Sequence, residues 1–305
     1  MPRKGYIRRR LHLILIGLLS VSCSKSNDSS EVANEELDIN WEQYTIFKQG
    51  NIPLLLISVH GGDLEPDFIE DRTCSQAVTV KDSHTLEITQ GIESELLKLG
   101  YQPYVVINKL HRKKIDLNRS VSNATCGNPI TSEYWQLFHD QIKTYRSEIE
   151  TKFSSGLVLD VHGHGHEVQR IELGYLLSAI DLRQENETLN EVAYKNKSSI
   201  RHLTENSTGL QLSDYLNGAQ SFGQLFEERG YPSVPSLSDR APKEGEAYWS
   251  GGYNTQEYGS RYSGDVDAIQ VELNWTDVRN NASNRSRFTR YCAEVIVSYL
   301  ESHYQ

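Results

Sequence analysis

The sequence predicts an α/β protein built on a mainly parallel sheet, and three observations support this prediction. Short apolar runs alternate along the chain with amphipathic segments of helical length, which is typical of βαβ units. The apolar runs lack period-two alternation, as expected of strands that are covered on both faces. The 305 residues, 37% of them hydrophobic, can bury the core of one large domain or two small ones.

Each predicted element has its own signal. Apolar runs rich in Leu, Ile and Val predict strands, and apolar residues at helical spacing predict helices, the first of which ends at Gly100. The predicted strands are 53–59, 104–107, 157–161, 171–177 and 268–273, and the predicted helices are 83–99, 132–153, 221–228 and 286–303. The polar region 179–265 is expected to form loops over one edge of the sheet, where α/β proteins keep their sites.

The N-terminus is typical of an export signal. Residues 1–10 are basic, 11–19 are apolar, and small residues precede Cys23, in a pattern that resembles a bacterial lipobox. The apolar run is too short to span a bilayer but has the length of a signal-peptide core. We therefore expect a signal peptide over 1–22, a lipid on Cys23 that anchors the chain to a bacterial membrane, a flexible tether over 23–45 and a catalytic domain over 46–305. Ordinary cleavage near Cys23 without lipidation is the alternative.

The charge of the chain bears on its partners, and its cysteines bear on disulfide formation and metal binding. The formal net charge is −10, and an acidic body repels phosphate backbones, so a nucleic-acid partner is excluded. Cys74 and Cys126 both lie in polar loop sequence, so a disulfide between them is plausible in an oxidising compartment. Cys292 falls in a helical pattern and is expected to be a buried thiol. No cysteine spacing indicates a structural zinc site.

Histidines and carboxylates follow two of the predicted strands. His60 and Asp63 lie three positions apart in a glycine-containing turn, with Glu65 as a competing donor. His162, His164 and His166 are separated by glycines after the third strand. Imidazole and carboxylate groups are normal zinc ligands, so a metal site is favoured over solvated loop histidines or a pH-sensitive patch. Asp160 lies on the same side of the strand as His162 and can orient its ring.

Other site types do not fit the spacing. Arg170 stands where a helical HExxH motif needs its second histidine. The chain contains no GxSxG nucleophile elbow, and Gly163-x-Gly165 lacks the third glycine of a dinucleotide fingerprint. A serine hydrolase and a nucleotide-dependent enzyme are therefore disfavoured.

Two further groups of residues point to substrate chemistry. Asn118 and Arg119 are adjacent, and an Arg beside an Asn can hold a carboxylate by charge-assisted contacts; a basic surface turn is the alternative. Glu272 interrupts an apolar strand, where a charge is costly unless it is paired or functional. Near a metal-activated water it would be a general base, and the alternative is a structural salt bridge to Arg279 or another base.

Five short motifs, in order, resemble the N-formylglutamate amidohydrolase family. They are HGGDLEP (60–66), RKKIDLNR (112–119), DVHG (160–163), WSGGYN (249–254) and AIQVEL (268–273). The family is similar in fold to the zinc carboxypeptidases, so the resemblance implies a three-layer α/β/α sandwich with a mixed, mostly parallel sheet.

The resemblance also implies roles for individual residues. It makes His60, Asp63 and His162 the ligands of one zinc ion per chain. It makes Glu272 the carboxylate that deprotonates the attacking water and protonates the leaving amine. Arg112 would polarise the scissile carbonyl, and Asn118 with Arg119 would bind a carboxylate of the substrate. His164 and His166 exceed the family pattern and are expected to contact substrate or to replace one of these ligands.

These observations predict a zinc-dependent hydrolase of an amide bond in a small carboxylate-bearing substrate. Because the chain is expected to be exported, to the periplasm or the cell surface, an N-acyl amino compound, a peptide or a cell-wall fragment fits better than N-formylglutamate itself. One alternative is a non-catalytic surface lipoprotein that binds a metal or a glycan. The other is a zinc-dependent esterase, since activated water attacks either acyl group.

Overall fold

The computed structural model describes residues 39–207 and 209–304. Their centre is a seven-stranded sheet in the order β1-β3-β2-β4-β7-β5-β6. The strands are β1 (Thr45–Lys48), β2 (Leu54–Ser58), β3 (Tyr104–Asn108), β4 (Gly156–Gly163), β5 (Ile171–Gly174), β6 (Ser233–Val234) and β7 (Val266–Leu273). Four of the six pairings are parallel; β1 with β3 and β5 with β7 are antiparallel. The predicted mixed, mostly parallel sheet is therefore confirmed.

Helices cover both faces of this sheet. The helices of the described residues are α1 (Thr85–Lys98), α2 (Val121–Thr125), α3 (Pro129–Phe153), α4 (Ala179–Leu182), α5 (Asn186–Leu189), α6 (Val192–Lys197), α7 (Arg201–Asn206), α8 (Leu212–Asn217), α9 (Phe222–Glu227), α10 (Tyr253–Tyr258) and α11 (Ala282–His303). Helices α1 and α11 pack together against the sheet, while α3 packs against β2, β3, β4 and β7. The three-layer α/β/α sandwich is thus the observed architecture.

The strands are buried on both faces, which explains their continuous apolar sequence. Every residue of β2, β3 and β7 is buried. Alternate residues of β4 and β7, such as Leu159 and Val271, belong to the apolar core with α1 and α11. Because strand side chains alternate between faces, the intervening positions, among them His162 and Glu272, share the opposite face.

The folded domain begins earlier than predicted. A 3-10 helix, Trp41–Tyr44, and β1 occupy residues that the sequence assigned to the tether. Trp41 and Tyr44 are both buried, and the Trp41 ring lies 4.8 Å from that of Tyr134, so the boundary at residue 46 was wrong. The predicted signal peptide, the lipidation site Cys23 and the tether up to residue 38 lie outside the described residues. No helix among the described residues has the length and apolar character needed to cross a membrane.

The region 179–265 differs most from its prediction. Sequence analysis expected loops with one helix, whereas the described part of this region holds seven short helices and β6. Strand β5 ends at Gly174 rather than at residue 177, because Leu176 adopts a positive φ of 64° and donates its N–H to the Ser250 carbonyl. Helices this short lack a full apolar stripe, which is the signal that predicts longer ones.

A disulfide joins Cys74 and Cys126, the pairing that the sequence made plausible, and Cys292 is a buried free thiol. The bridge links the long segment between β2 and α1 to the end of α2. The two cysteines are 52 residues apart, and closing a loop of that length stabilises a folded chain by about 4 kcal/mol in the chain-entropy model.

Replacing both Cys74 and Cys126 by serine should therefore lower the free energy of unfolding by about 2–4 kcal/mol. Urea unfolding followed by circular dichroism measures this difference. A reductant should destabilise the wild-type protein to the same extent and leave the double variant unchanged. Equal stability of oxidised wild type and double variant would contradict the stabilising role of the bridge.

Candidate metal centre and active site

A cavity of about 540 Å³ opens at the carboxyl ends of β2, β4 and β7. In sheets with parallel strands this edge is where ligands bind, because the loops that follow the strands converge there. Its walls combine histidines and carboxylates with three arginines and two tryptophans. They include His60, Asp82, Arg112, Asn118, Arg119, His162, His164, His166, Trp249, Gln270, Glu272, Trp275 and Arg279.

His60, Asp82 and His162 form a compact cluster in this cavity. The Nδ1 atoms of His60 and His162 lie 3.3 and 3.1 Å from the same Asp82 oxygen, Oδ2. The two imidazole rings meet edge to face, with their centroids 4.8 Å apart. All three residues are buried. Two imidazole nitrogens and one carboxylate oxygen therefore converge on one point.

The far side of each imidazole is held by another buried carboxylate. His60 Nε2 lies 2.7 Å from Asp116 Oδ1, and His162 Nε2 lies 2.8 Å from Asp160 Oδ2. A carboxylate that accepts the Nε2 proton fixes the ring orientation and leaves the Nδ1 lone pair free for a metal ion. Asp160 thus contacts the His162 ring, as the sequence predicted. Asp116, its counterpart for His60, was missed because its motif gave no reason to separate it from neighbouring polar residues.

This cluster fits a zinc ion. Zinc takes nitrogen and oxygen ligands at 2.0–2.2 Å in tetrahedral geometry, which separates neighbouring ligand atoms by roughly 3.3–3.5 Å. The observed Nδ1–Oδ2 distances of 3.3 and 3.1 Å are close to that separation. Burial raises the pKa of Asp82, but the His60 and His162 rings outweigh it and hold the pKa well below its usual range.

Asp63 is not part of this cluster, so its predicted role as a metal ligand is corrected. Its side chain is 73% exposed and pairs with Lys81. The competing donor Glu65 also lies outside, where it pairs with Lys113. Before them, Gly61 and Gly62 pack so tightly against the backbones of Leu86 and Lys109 that neither has room for a Cβ.

Asp82 takes the place of Asp63 from a more distant part of the chain. It lies just before α1, and its N–H donates to the His60 carbonyl at 3.0 Å. One signal in the sequence could have identified Asp82. This residue belongs to the loop between a parallel strand and the next helix, at the sheet edge where His60 lies. The 22 residues between His60 and Asp82 hid that connection.

Arg279 fixes the loops that surround the site. Its guanidinium donates to the backbone carbonyls of Leu273, Ser83 and His164. Leu273 is the last residue of β7, Ser83 precedes α1 and His164 follows β4. A Cβ on Gly163 would lie 2.5 Å from the Arg279 Cζ atom, so any larger residue there would displace the guanidinium. The guanidinium of Arg279 therefore donates to backbone carbonyls. Among the described residues it forms no salt bridge with Glu272, the alternative that the sequence left open.

Glu272 lies on β7 directly beside His162 on β4. Its Oε1 accepts a hydrogen bond of 2.8 Å from Gln270 Nε2, and the side chain lines the cavity. Burial raises the pKa of Glu272 to about 8; His162 opposes this shift, and the Asp82 and Glu172 carboxylates add to it. A carboxyl group with a pKa near neutrality is suited to both accepting and returning a proton.

The predicted substrate-binding residues lie at two depths in the cavity. Asn118 is buried beside the metal cluster, with its Nδ2 atom 3.3 Å from His162 Nε2, and its Oδ1 accepts the Asn254 N–H at 2.9 Å. Arg119 is at the rim, with its side chain 49% exposed and its Nε atom 3.9 Å from Asp116. Of the two residues, Arg119 is therefore the one whose charged side chain is open to a ligand.

Arg112 is held at the cavity wall by two carboxylates. Its Nε and Nη2 atoms donate to Asp116 Oδ2 at 3.2 and 3.1 Å, and Nη1 donates to Asp82 Oδ1 at 3.3 Å. The guanidinium thus connects the carboxylate that orients His60 to the carboxylate of the metal cluster. The structure brings Arg112, Asn118, Arg119 and Glu272 together around His60 and His162, as the sequence predicted for all of them.

Known proteins resemble this chain in structure rather than in sequence. No protein-family model matches it, and no curated protein does. N-formylglutamate amidohydrolase from Ralstonia eutropha superposes with a TM-score of 0.50 at 11% identity, over 85% of this chain and 99% of that one. An Agrobacterium tumefaciens gene product scores 0.49 at 10% identity, over 85% and 95%. N-acetylmuramyl-L-alanine amidase from Mycobacterium abscessus scores 0.36 at 13% identity, over 82% and 100%. The chain therefore has an amidohydrolase-like α/β fold.

Proposed function

We propose that this protein is a metal-dependent hydrolase that cleaves an amide bond in a carboxylate-bearing substrate. The observation that carries the proposal is the convergence of two oriented imidazoles on Asp82, with Glu272 one strand away. The fold shared with an N-formylglutamate amidohydrolase supports the same reaction class, as do the five motifs of that family. We accordingly propose that the chain belongs in or near that family.

In this proposal His60, Asp82 and His162 hold a zinc ion, which when bound makes water a stronger nucleophile and polarises the carbonyl of the substrate. Glu272 takes a proton from the attacking water as the water oxygen adds to the carbonyl carbon. Arg112 stabilises the negative charge that develops on the carbonyl oxygen. Glu272 then gives its proton to the departing nitrogen as the C–N bond breaks. Gln270 holds the Glu272 carboxylate throughout by its 2.8 Å hydrogen bond.

The metal requirement is tested by elemental analysis of the protein after dialysis against zinc. His60→Ala and His162→Ala should each lower the bound metal by about one ion per chain, since each removes one of the three ligands. Circular dichroism controls for folding. The proposal is overturned if both folded variants keep the metal content of the wild type.

Activity is tested with a panel of N-acyl amino acids, peptides and cell-wall fragments, each as a free carboxylate and as the matched carboxamide. We expect the protein to hydrolyse the carboxylate substrates. A chelator should abolish this activity, and added zinc should restore it. Ester analogues test for an esterase, which would hydrolyse esters and spare the amides. Metal binding with no turnover of any member would favour the surface lipoprotein without catalysis.

Arg119 is proposed to bind the substrate carboxylate, because it is the half-exposed cation at the cavity rim. Arg119→Gln should raise KM for carboxylate substrates roughly tenfold or more, since hydrogen bonds to charged groups contribute about 1.5–3 kcal/mol. The same change should leave KM for the carboxamides unaltered. Arg290→Gln, at an exposed position of α11, is the matched control. An equal rise for both substrate forms would remove Arg119 from this role.

We also propose that the protein is exported and anchored by a lipid on Cys23. The basic and apolar N-terminal sequence supports this, and so does the Cys74–Cys126 disulfide, since disulfides persist in oxidising compartments. Export agrees with a peptide or cell-wall fragment as the substrate; N-formylglutamate as by far the best substrate would contradict that choice. Labelled palmitate should be incorporated by the wild-type chain and not by Cys23→Ala.

A further inference from the structure

A second group of potential metal ligands lies in the same cavity and is not used in the proposed reaction. His164, His166 and Glu172 place one nitrogen or oxygen each close together. Glu172 Oε1 is 2.8 Å from His166 Nδ1 and 4.0 Å from His164 Nδ1. The side chains of His164 and Glu172 are fully buried, while that of His166 is 19% exposed. His164 and Glu172 thus form a buried pair, and the third residue, His166, is open to the cavity.

Two members of this group are oriented from behind. His164 Nε2 donates to the Arg170 carbonyl at 2.8 Å, so the lone pair of this ring is on Nδ1, which accepts the His166 N–H at 3.1 Å and lies 4.0 Å from Glu172 Oε1. The second Glu172 oxygen, Oε2, accepts the Trp249 N–H at 2.8 Å. This is how outer groups hold the ligands of metal sites, and it repeats the arrangement that Asp116 and Asp160 give the first cluster.

The sheet places this group beside the first cluster. His162 is paired with Glu272 across β4 and β7, and Glu272 is paired with Glu172 across β7 and β5. The three side chains therefore form one row on one face, with neighbouring strands about 4.8 Å apart. Two buried carboxylates directly opposite each other repel. A cation bound beside Glu172 would offset that repulsion.

We propose that His164, His166 and Glu172 bind a second divalent cation of the zinc type. Two imidazoles and a carboxylate are ligands for zinc and related transition metals, whereas magnesium and calcium prefer oxygen ligands. The His166 N–H now lies 3.1 Å from His164 Nδ1, and the bound cation takes over that lone pair. His166 faces the cavity, which gives the cation its path in. This site does not depend on the proposed function of the first cluster.

Metal content after dialysis against zinc, measured by elemental analysis, tests the second site. The wild type should hold about two ions per chain, and His60→Ala, His166→Ala and Glu172→Gln about one each. The double variant His60→Ala/His166→Ala should hold none. Glu172→Gln keeps the shape of the side chain and serves if His166→Ala does not fold. His202→Ala is the control, because His202 pairs with Asp265 and lies outside the cavity lining; it should keep both ions.

The pattern of loss separates the two sites. A single ion that is lost in His60→Ala and kept in both His166→Ala and Glu172→Gln would overturn the second site and leave the first intact. A single ion that is kept in His60→Ala and lost in His166→Ala would support the second site and overturn the proposed one at His60. Loss of an ion in His202→Ala as well would show adventitious surface binding and would also overturn the second site.

Discussion

Glu272→Gln should lower kcat by at least ~10²-fold while the protein stays folded and keeps its metal. The change preserves the shape of the side chain but removes the group that accepts and returns the proton, and a general base contributes typically 10²–10⁴-fold. The Gln270 contact can persist, because the new amide keeps an oxygen that can accept it. Steady-state kinetics on the best carboxylate substrate, with metal analysis and circular dichroism on the same preparations, measure the effect.

Asp267→Asn is the matched control for Glu272→Gln. Asp267 is another fully buried carboxylate of β7, but it is bonded to Ser260 and Tyr304 and does not line the cavity. The control should change stability and leave kcat near that of the wild type. A fall of less than tenfold for Glu272→Gln would exclude Glu272 as the general base, and a fall of equal size in both variants would indicate a general effect on the strand.

Asp82→Ala should lose the metal of the first cluster, and Asp63→Ala should keep it. Outer partners of metal ligands alone contribute 10–100-fold to affinity, so removing the Asp82 ligand should weaken zinc binding by more than ~10²-fold. Asp63 is 73% exposed and pairs with Lys81 outside the cluster, so its removal leaves the cluster intact. Titration of the metal-free proteins with zinc in competition with a chromogenic chelator gives both affinities.

The two variants also distinguish Asp82 from Asp63 as the carboxylate ligand of the first cluster. The family motif selects Asp63 by its distance in sequence from His60, whereas the structure selects Asp82 by its contacts with both Nδ1 atoms. Weak zinc binding by Asp63→Ala together with unchanged binding by Asp82→Ala would contradict the structural assignment. Folding of Asp82→Ala is checked by urea unfolding, since the carboxylate also accepts bonds from Arg112.

The sequence predicted most of the sheet because its central strands are covered on both faces. A run such as Leu54–Ser58 has only one physically reasonable place, the middle of a sheet between helix layers. The edge of the domain was less predictable. Trp41 and Tyr44 occur in polar sequence next to the supposed tether, and only their packing against Tyr134 shows that they belong to the core.

The site was predictable where its residues follow strands directly. His60, His162 and Glu272 lie on or just after β2, β4 and β7, so their position in sequence fixes their position at the edge of the sheet. Asp82 and Asp116 come from loops whose path depends on tertiary contacts. Periodicity carries no information about such loops, and only the structure shows that Asp82 contacts both imidazoles and that Asp116 contacts His60.

The row of His162, Glu272 and Glu172 across three neighbouring strands constrains how this protein can evolve. Side chains alternate between faces, so inserting or deleting one residue in β7 ahead of Glu272 would turn that carboxylate to the opposite face and separate it from both neighbours. The part of the region between β5 and β7 that supplies the cavity wall, through Trp249 and Gly252, lies outside the strands and bears no such constraint of register. New substrates are therefore more readily acquired by lengthening or shortening that region, while the strands that carry the chemistry keep their length.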